Sequence, residues 1–316
     1  MVSVLHSSEF TLTHPFPEMK QISRAMGLAL SALALNFCAL PAAADKIELN
    51  GGGTMYYEDT GEGAPVILLH GHTLDRRMWA DQVEALQDAY RVIVPDLRGY
   101  GLSSDPKEGQ QFTHMDDVVA LMDSLHIQRA HVVGLSMGGF IAGDMLALCP
   151  ERLLSCVMVS GETCSYTGPS HPRSAQEKAK LKASGDAVRR DIEGYKRRRI
   201  AVLKGACVVW NDHVRQACTE EVMDWGCWQA MNVPGRIYYG SEALAKLKQI
   251  KPEVPALIIY GDKERTSNSS LLNYLPNGRQ VIFKHCGHMV NLEYPELFNE
   301  TLLDWIAEVE QEYGIW

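Results

Sequence analysis

The sequence predicts an α/β fold: a mostly parallel central sheet flanked by helices, with a helical cap inserted after the sixth strand. Three observations carry this. Short continuous Val, Ile and Leu runs bounded by Gly or Pro recur along the chain, as in strands buried on both faces. Amphipathic stretches of helical length alternate with them, as crossovers in a parallel sheet require. The rhythm then breaks over residues 165–250, which are rich in helix formers and hold no strand pattern. With 316 residues, 46% apolar and 22% charged, the chain suits a large folded domain and excludes a disordered one.

Taken in order, an opening hairpin runs from Lys46 to Glu48 and from Thr54 to Asp59, around Gly51-Gly52-Gly53. Strands follow at Val66–Leu69, Arg91–Pro95, Ala130–Gly134, Cys156–Ser160, Ala256–Tyr260 and Gln280–Lys284. Helical patterns lie between them at Trp79–Leu86, Met115–Leu125 and Gly139–Leu148, and a last helix runs from Pro295 to Val309. The expected organisation is therefore a leader at 1–44, core segments at 45–164 and 251–316, and a cap at 165–250.

The leader reads as a secretory signal peptide. A basic run, Met19 to Arg24, enters an apolar stretch, Ala25 to Leu40, that ends in Pro41-Ala42-Ala43-Ala44. Cleavage is expected after Ala44, giving a secreted or periplasmic protein without stable membrane insertion, because 16 apolar residues are short for a span. The alternative is an uncleaved anchor helix; residues 1–18 read as an extension before the true start. Seven cysteines remain beyond the leader: Cys149, Cys156, Cys164, Cys207, Cys218, Cys227 and Cys286. Cys149, Cys156 and Cys286 suit small buried core positions, whereas Cys207, Cys218 and Cys227, close in sequence, are the expected disulfide formers. No CxxC pair exists, so a structural zinc site has no support.

Thirty Lys and Arg against 39 Asp and Glu leave a net charge of -9, the wrong sign for a nucleic-acid partner. The cap segment holds 15 Lys and Arg against 9 Asp and Glu, so it is basic on an acidic body. Its run Lys196-Arg197-Arg198-Arg199 reads as a solvated face, or else as an attractor of anionic substrates. Trp210, Trp225 and Trp228 are cap core or pocket wall, and the sequence leaves that open.

The chemistry concentrates at three turns. Gly134-Leu135-Ser136-Met137-Gly138 joins a strand to a helix, the context that a G-x-S-x-G nucleophile elbow needs to lift its serine above the sheet. Val66 to Leu69 end in His70-Gly71-His72, and a glycine-rich loop before the last helix carries His288. Asp96 and Arg98, in Pro95-Asp96-Leu97-Arg98-Gly99, read as a hydrogen-bonded corner, and His70 as a structural hydrogen-bonder.

With these motifs the chain resembles the α/β-hydrolase superfamily over about residues 54–312, and within it the capped branch of haloperoxidase-like esterases and 3-oxoadipate enol-lactonases. The resemblance implies Ser136 as nucleophile, His288 as general base and then acid, and the backbone amides of His72 and Met137 as the oxyanion hole. The usual Gly-x-x-Asp after the penultimate strand here reads Gly261-Asp262-Lys263-Glu264, so the acid is expected at Glu264, with Glu162 second and Asp262 third. Serine at the elbow separates the chain from epoxide hydrolases and haloalkane dehalogenases, which attack with aspartate. The implied function is hydrolysis of a small carboxylic ester or lactone through an acyl-enzyme, without metal or organic cofactor. Carbon-carbon bond hydrolysis, peracid formation and slow-turnover binding of a small molecule are the alternatives.

Overall fold

The apolar runs pair edge to edge in a computed structural model that describes residues 43–107, 109–163, 174–232, 237–264 and 269–314. Among these residues one sheet holds β1 (Ala43–Glu48), β2 (Thr54–Thr60), β3 (Pro65–Leu69), β4 (Arg91–Pro95), β5 (Ala130–Leu135), β6 (Leu153–Val159), β7 (Ala256–Gly261) and β8 (Gly278–Phe283). Their order is β1-β2-β4-β3-β5-β6-β7-β8. The hairpin partners β1 and β2 are antiparallel, β2 is antiparallel to β4, and every later pairing is parallel. Every residue of β5, β6 and β7 is buried, which is why these strands read as unbroken apolar runs. The strand order reverses direction beside β3 and β5, and a crevice opens at such a switch point outside the carboxyl ends of the strands.

Helices α1 (Ala80–Leu86), α2 (His114–Ser124) and α3 (Met137–Leu148) connect the early strands. Between β6 and β7 lie α4 (Ala175–Arg190), α5 (Ile192–Ala206), α6 (Asp212–Asp224), α7 (Trp228–Met231) and α8 (Ser241–Ile250). These form the insertion after the sixth strand. The chain closes with α9 (Val290–Glu293) and α10 (Pro295–Tyr313). Local chemistry sets the ends: Ser174 and Glu177 form a reciprocal capping box on α4, and α10 starts on Pro295 and stops at Gly314 in the left-handed region.

Side-chain alternation along each strand divides the core. Ile67, Ile93, Val132 and Ile258 face α2, α3 and α8, whereas Val66, Val92, Val133 and Ile259 face α1 and α10. The Trp79–Leu86 pattern is split by a 3-10 turn at Arg76–Trp79, because the Asp75 carboxylate accepts from the Arg77 amide and starts that turn instead.

One expectation is corrected. Cys207, Cys218 and Cys227 are free thiols, as are Cys149, Cys156 and Cys286. The folded chain sets Cys227 apart from the other two: Cys207 and Cys218 pack in the core layer of α10, and Cys227 packs in the opposite one. Cys164 and the leader up to residue 42 lie outside the described residues, and the expected cleavage after Ala44 falls inside β1.

Candidate active site

Strained backbone recurs along the C-terminal edge of the parallel strands. Thr73 beyond β3, Ser136 beyond β5, Ser160 beyond β6 and His285 beyond β8 all take positive φ, between 52° and 75°. Each such non-glycine residue costs about 1–3 kcal/mol, and clustering of this kind accompanies functional sites. Ser136 holds φ 55 and ψ -108. Its amide donates to the Val159 carbonyl at 2.7 Å, and its carbonyl accepts from Phe140 at 3.1 Å. The elbow is this tight because its glycines lack Cβ atoms. A methyl on Gly134 would overlap the Gly138 carbonyl, and one on Gly138 the Leu69 carbonyl. Met137 is the first residue of α3, so its N–H belongs to the helix-end donors that have no intrahelical acceptor.

The His-Gly turn after β3 packs on the elbow, where a methyl added to Gly71 would come within 3.7 Å of the Ser136 Cβ. His70 is buried and structural: Nδ1 donates to the Gly71 carbonyl and Nε2 accepts from Leu97, each at 2.9 Å, and burial lowers its pKa. The imidazole of His72 sits in an aromatic wall, with Nδ1 2.6 Å from the Tyr100 hydroxyl and its ring edge-on to Trp225 at 5.1 Å. Burial pushes the His72 pKa down to about 3, so this imidazole is neutral at pH 7. Trp225 stacks on Tyr100 at 6.2 Å, which joins the cap to the core beside the elbow.

Three carboxylates compete for His288 in the sequence, and Glu264 is the one that reaches it. Glu264 Oε1 lies 2.5 Å from His288 Nδ1, while Oε2 accepts from the Gly261 amide at 3.3 Å. Glu162 is buried and accepts from the Ser269 hydroxyl instead. Asp262 turns to Lys263, 3.5 Å away. Ser136, Glu264 and His288 stand on the turns after β5, β7 and β8, which share one edge of the sheet.

Asp96 and Arg98 form the corner expected of them. Asp96 accepts from the Arg76 and Leu102 amides and pairs with the Arg76 guanidinium at 2.9 Å. Arg98 is buried against Asp117 at 2.6 Å, a pair whose breaking costs about 3–5 kcal/mol. Sequence reasoning missed Glu293. This buried carboxylate accepts from Gly287 in the His288 loop and from Val208 and Val209 beyond α5, so it ties the cap to that loop. The His288 amide in turn donates to the Ala206 carbonyl at 2.9 Å. Glu293 stood in the histidine motif, but its burial left no mark there. Among the described residues no group of three or more His, Cys, Asp or Glu is placed to hold a metal ion.

A family model described as the alpha/beta hydrolase fold matches residues 64–295. The AB hydrolase superfamily protein YisY of Bacillus subtilis is 44% identical over 264 residues, covering 79% of this chain and 94% of that protein. Among solved structures, a bromoperoxidase from Bacillus anthracis superposes with a TM-score of 0.65 at 27% identity, covering 84% of this chain and 100% of the other. A thermophilic esterase from Thermogutta terrifontis does so with a TM-score of 0.64 at 25% identity, covering 85% and 99%.

Proposed function

The chain belongs to the α/β-hydrolase fold family, and from that premise we propose that it is a serine hydrolase cleaving a small carboxylic ester or lactone. The observation that carries the reading is the 2.5 Å contact of Glu264 with His288, on the strand edge that also presents the strained Ser136 elbow.

In this reading Glu264 accepts the Nδ1 proton of His288 and leaves Nε2 free to take the Ser136 proton as the hydroxyl attacks the carbonyl carbon. The backbone amides of His72 and Met137 donate to the oxygen as it becomes negative. Collapse expels the alcohol, which takes its proton from His288, and leaves an acyl group on Ser136. Water activated by the same imidazole then releases the acid. A lactone follows the same path with its alcohol still attached to the acyl chain. The esterase among the solved structures supports this reaction class.

The experiment is hydrolysis of p-nitrophenyl acetate and butyrate, together with fluorophosphonate labelling, by the purified protein and Ser136→Ala. Turnover and labelling in the parent, both lost in a variant with unchanged circular dichroism, support the proposal. A folded parent that neither reacts nor labels overturns it. Export with cleavage after Ala44 is part of the same proposal. A mature N-terminus at Asp45 by intact mass after expression in a secreting bacterial host supports it, and an unprocessed leader overturns it.

A further inference from the structure

The basic run of α5 is not one patch, because successive helical residues point about 100° apart. Lys196 is buried and its Nζ donates to the Met223 carbonyl at 2.5 Å, closing the end of α6. Arg197 is exposed, and Arg198 pairs with Asp191 at 3.2 Å. Arg199 differs from all three. It is partly buried, its Nε is shut off from solvent, and that nitrogen has no hydrogen-bond partner among the described residues. Arg199 also enters no ion pair there.

Arg199 lies one turn after Tyr195 and two turns before Ala206, whose carbonyl accepts from the His288 amide, on one face of α5. Tyr195, one turn earlier on α5, has its ring 6.2 Å from Trp225, which in turn lies against His72 and Tyr100. Burial is the main force on the titration of His72 and Tyr100, and the positive charge of Arg199 acts on both side chains. A buried N–H donor such as this Nε is costly unless an acceptor completes it. The planar fork of arginine matches a carboxylate with two parallel hydrogen bonds.

We propose that Arg199 is a specificity residue that receives a carboxylate on the substrate, so the ester or lactone cleaved at Ser136 is itself an anion. This rests on the serine-hydrolase reading above. The excess of positive charge on the cap, 15 Lys and Arg against 9 Asp and Glu, then draws anions to the mouth, and Arg199 holds them by their far end.

The test compares 4-nitrophenyl hydrogen glutarate, an anion, with neutral 4-nitrophenyl valerate on the parent, Arg199→Gln, Arg199→Lys and the exposed control Arg197→Gln. Glutarate binding is read in parallel by calorimetry, which needs no turnover. The parent is expected to prefer the anionic ester. Arg199→Gln is expected to raise KM for that ester at least tenfold more than for the neutral one and to weaken glutarate binding tenfold, with partial recovery in Arg199→Lys and none of these effects in Arg197→Gln. Equal effects on the two esters, or glutarate binding absent from the parent or unchanged in Arg199→Gln, overturns the proposal even where ester hydrolysis stands. Glutarate binding that depends on Arg199 while neither ester is cleaved supports the anion site and brings down the hydrolase reading instead.

Discussion

Glu264 and His288 meet through Oε1 and Nδ1 at 2.5 Å across 24 residues of sequence. They meet because β7 and β8 are parallel neighbours whose C-terminal ends open on the same side. The amide of Gly261 holds the second carboxylate oxygen, so the longer glutamate arm is fixed at both oxygens. Glu162 has no such freedom, since its carboxylate is occupied by Ser269.

Glu264→Gln is therefore expected to lower kcat about 10³- to 10⁴-fold with little change in KM, because an amide cannot hold His288 in the tautomer that leaves Nε2 free. Glu162→Gln keeps an acceptor for Ser269 and is expected to retain most of the parent kcat. Steady-state kinetics on p-nitrophenyl butyrate with both variants checks this. The reverse ranking would move the acid to Glu162.

His114 supplies a stability prediction. It is fully buried, neither ring nitrogen has a hydrogen-bond partner among the described residues, and burial drives its pKa from 6.5 down to about 3. The fold keeps this imidazole neutral while the unfolded chain takes up a proton below pH 6.5. Its share of stability is thus complete above that value and is lost as the pH falls toward 3. At pH 5 the loss is about 2 kcal/mol, so His114→Phe should reduce the difference in unfolding free energy between pH 8 and pH 5 by that amount. Urea unfolding at the two pH values reads it, and an unchanged difference contradicts it.

Glu221 acts with the opposite sign. Burial holds its carboxyl well above the ordinary 4.5, and it accepts from the Asp75 amide at 2.8 Å, joining α6 to the turn after β3. Folding favours the protonated form, so this contribution is complete below pH 4.5 and is lost as the pH rises through the elevated value. Glu221→Gln preserves the acceptor without the charge. Its melting temperature should fall less than the parent's between pH 4.5 and pH 9 in a calorimetric series.

Gly287→Ala tests the contact between cap and histidine loop. An added methyl would overlap the Ala206 carbonyl oxygen and press on the Cys207 backbone, so either α5 or the loop must move. A loss of stability of about 1–3 kcal/mol is expected, with kcat reduced about tenfold or more through displacement of His288. Gly226→Ala, where nothing lies within 4 Å of the added methyl, serves as the control. Equal kcat values in the two variants would show that this contact does not position the histidine.

The strands, the elbow and the histidine loop were legible in the amino-acid order because their causes are local. Burial on both faces demands continuous apolar residues, and a turn this tight demands glycine at Gly134 and Gly138. Local order could not choose among Glu264, Glu162 and Asp262, which differ in reach to His288 only once β7 lies between β6 and β8. It could not separate Cys227 from Cys207 and Cys218 into opposite core layers, nor turn Arg199 inward while Arg197 and Arg198 face water. Those outcomes depend on which surfaces are packed together, and burial belongs to the folded chain as a whole.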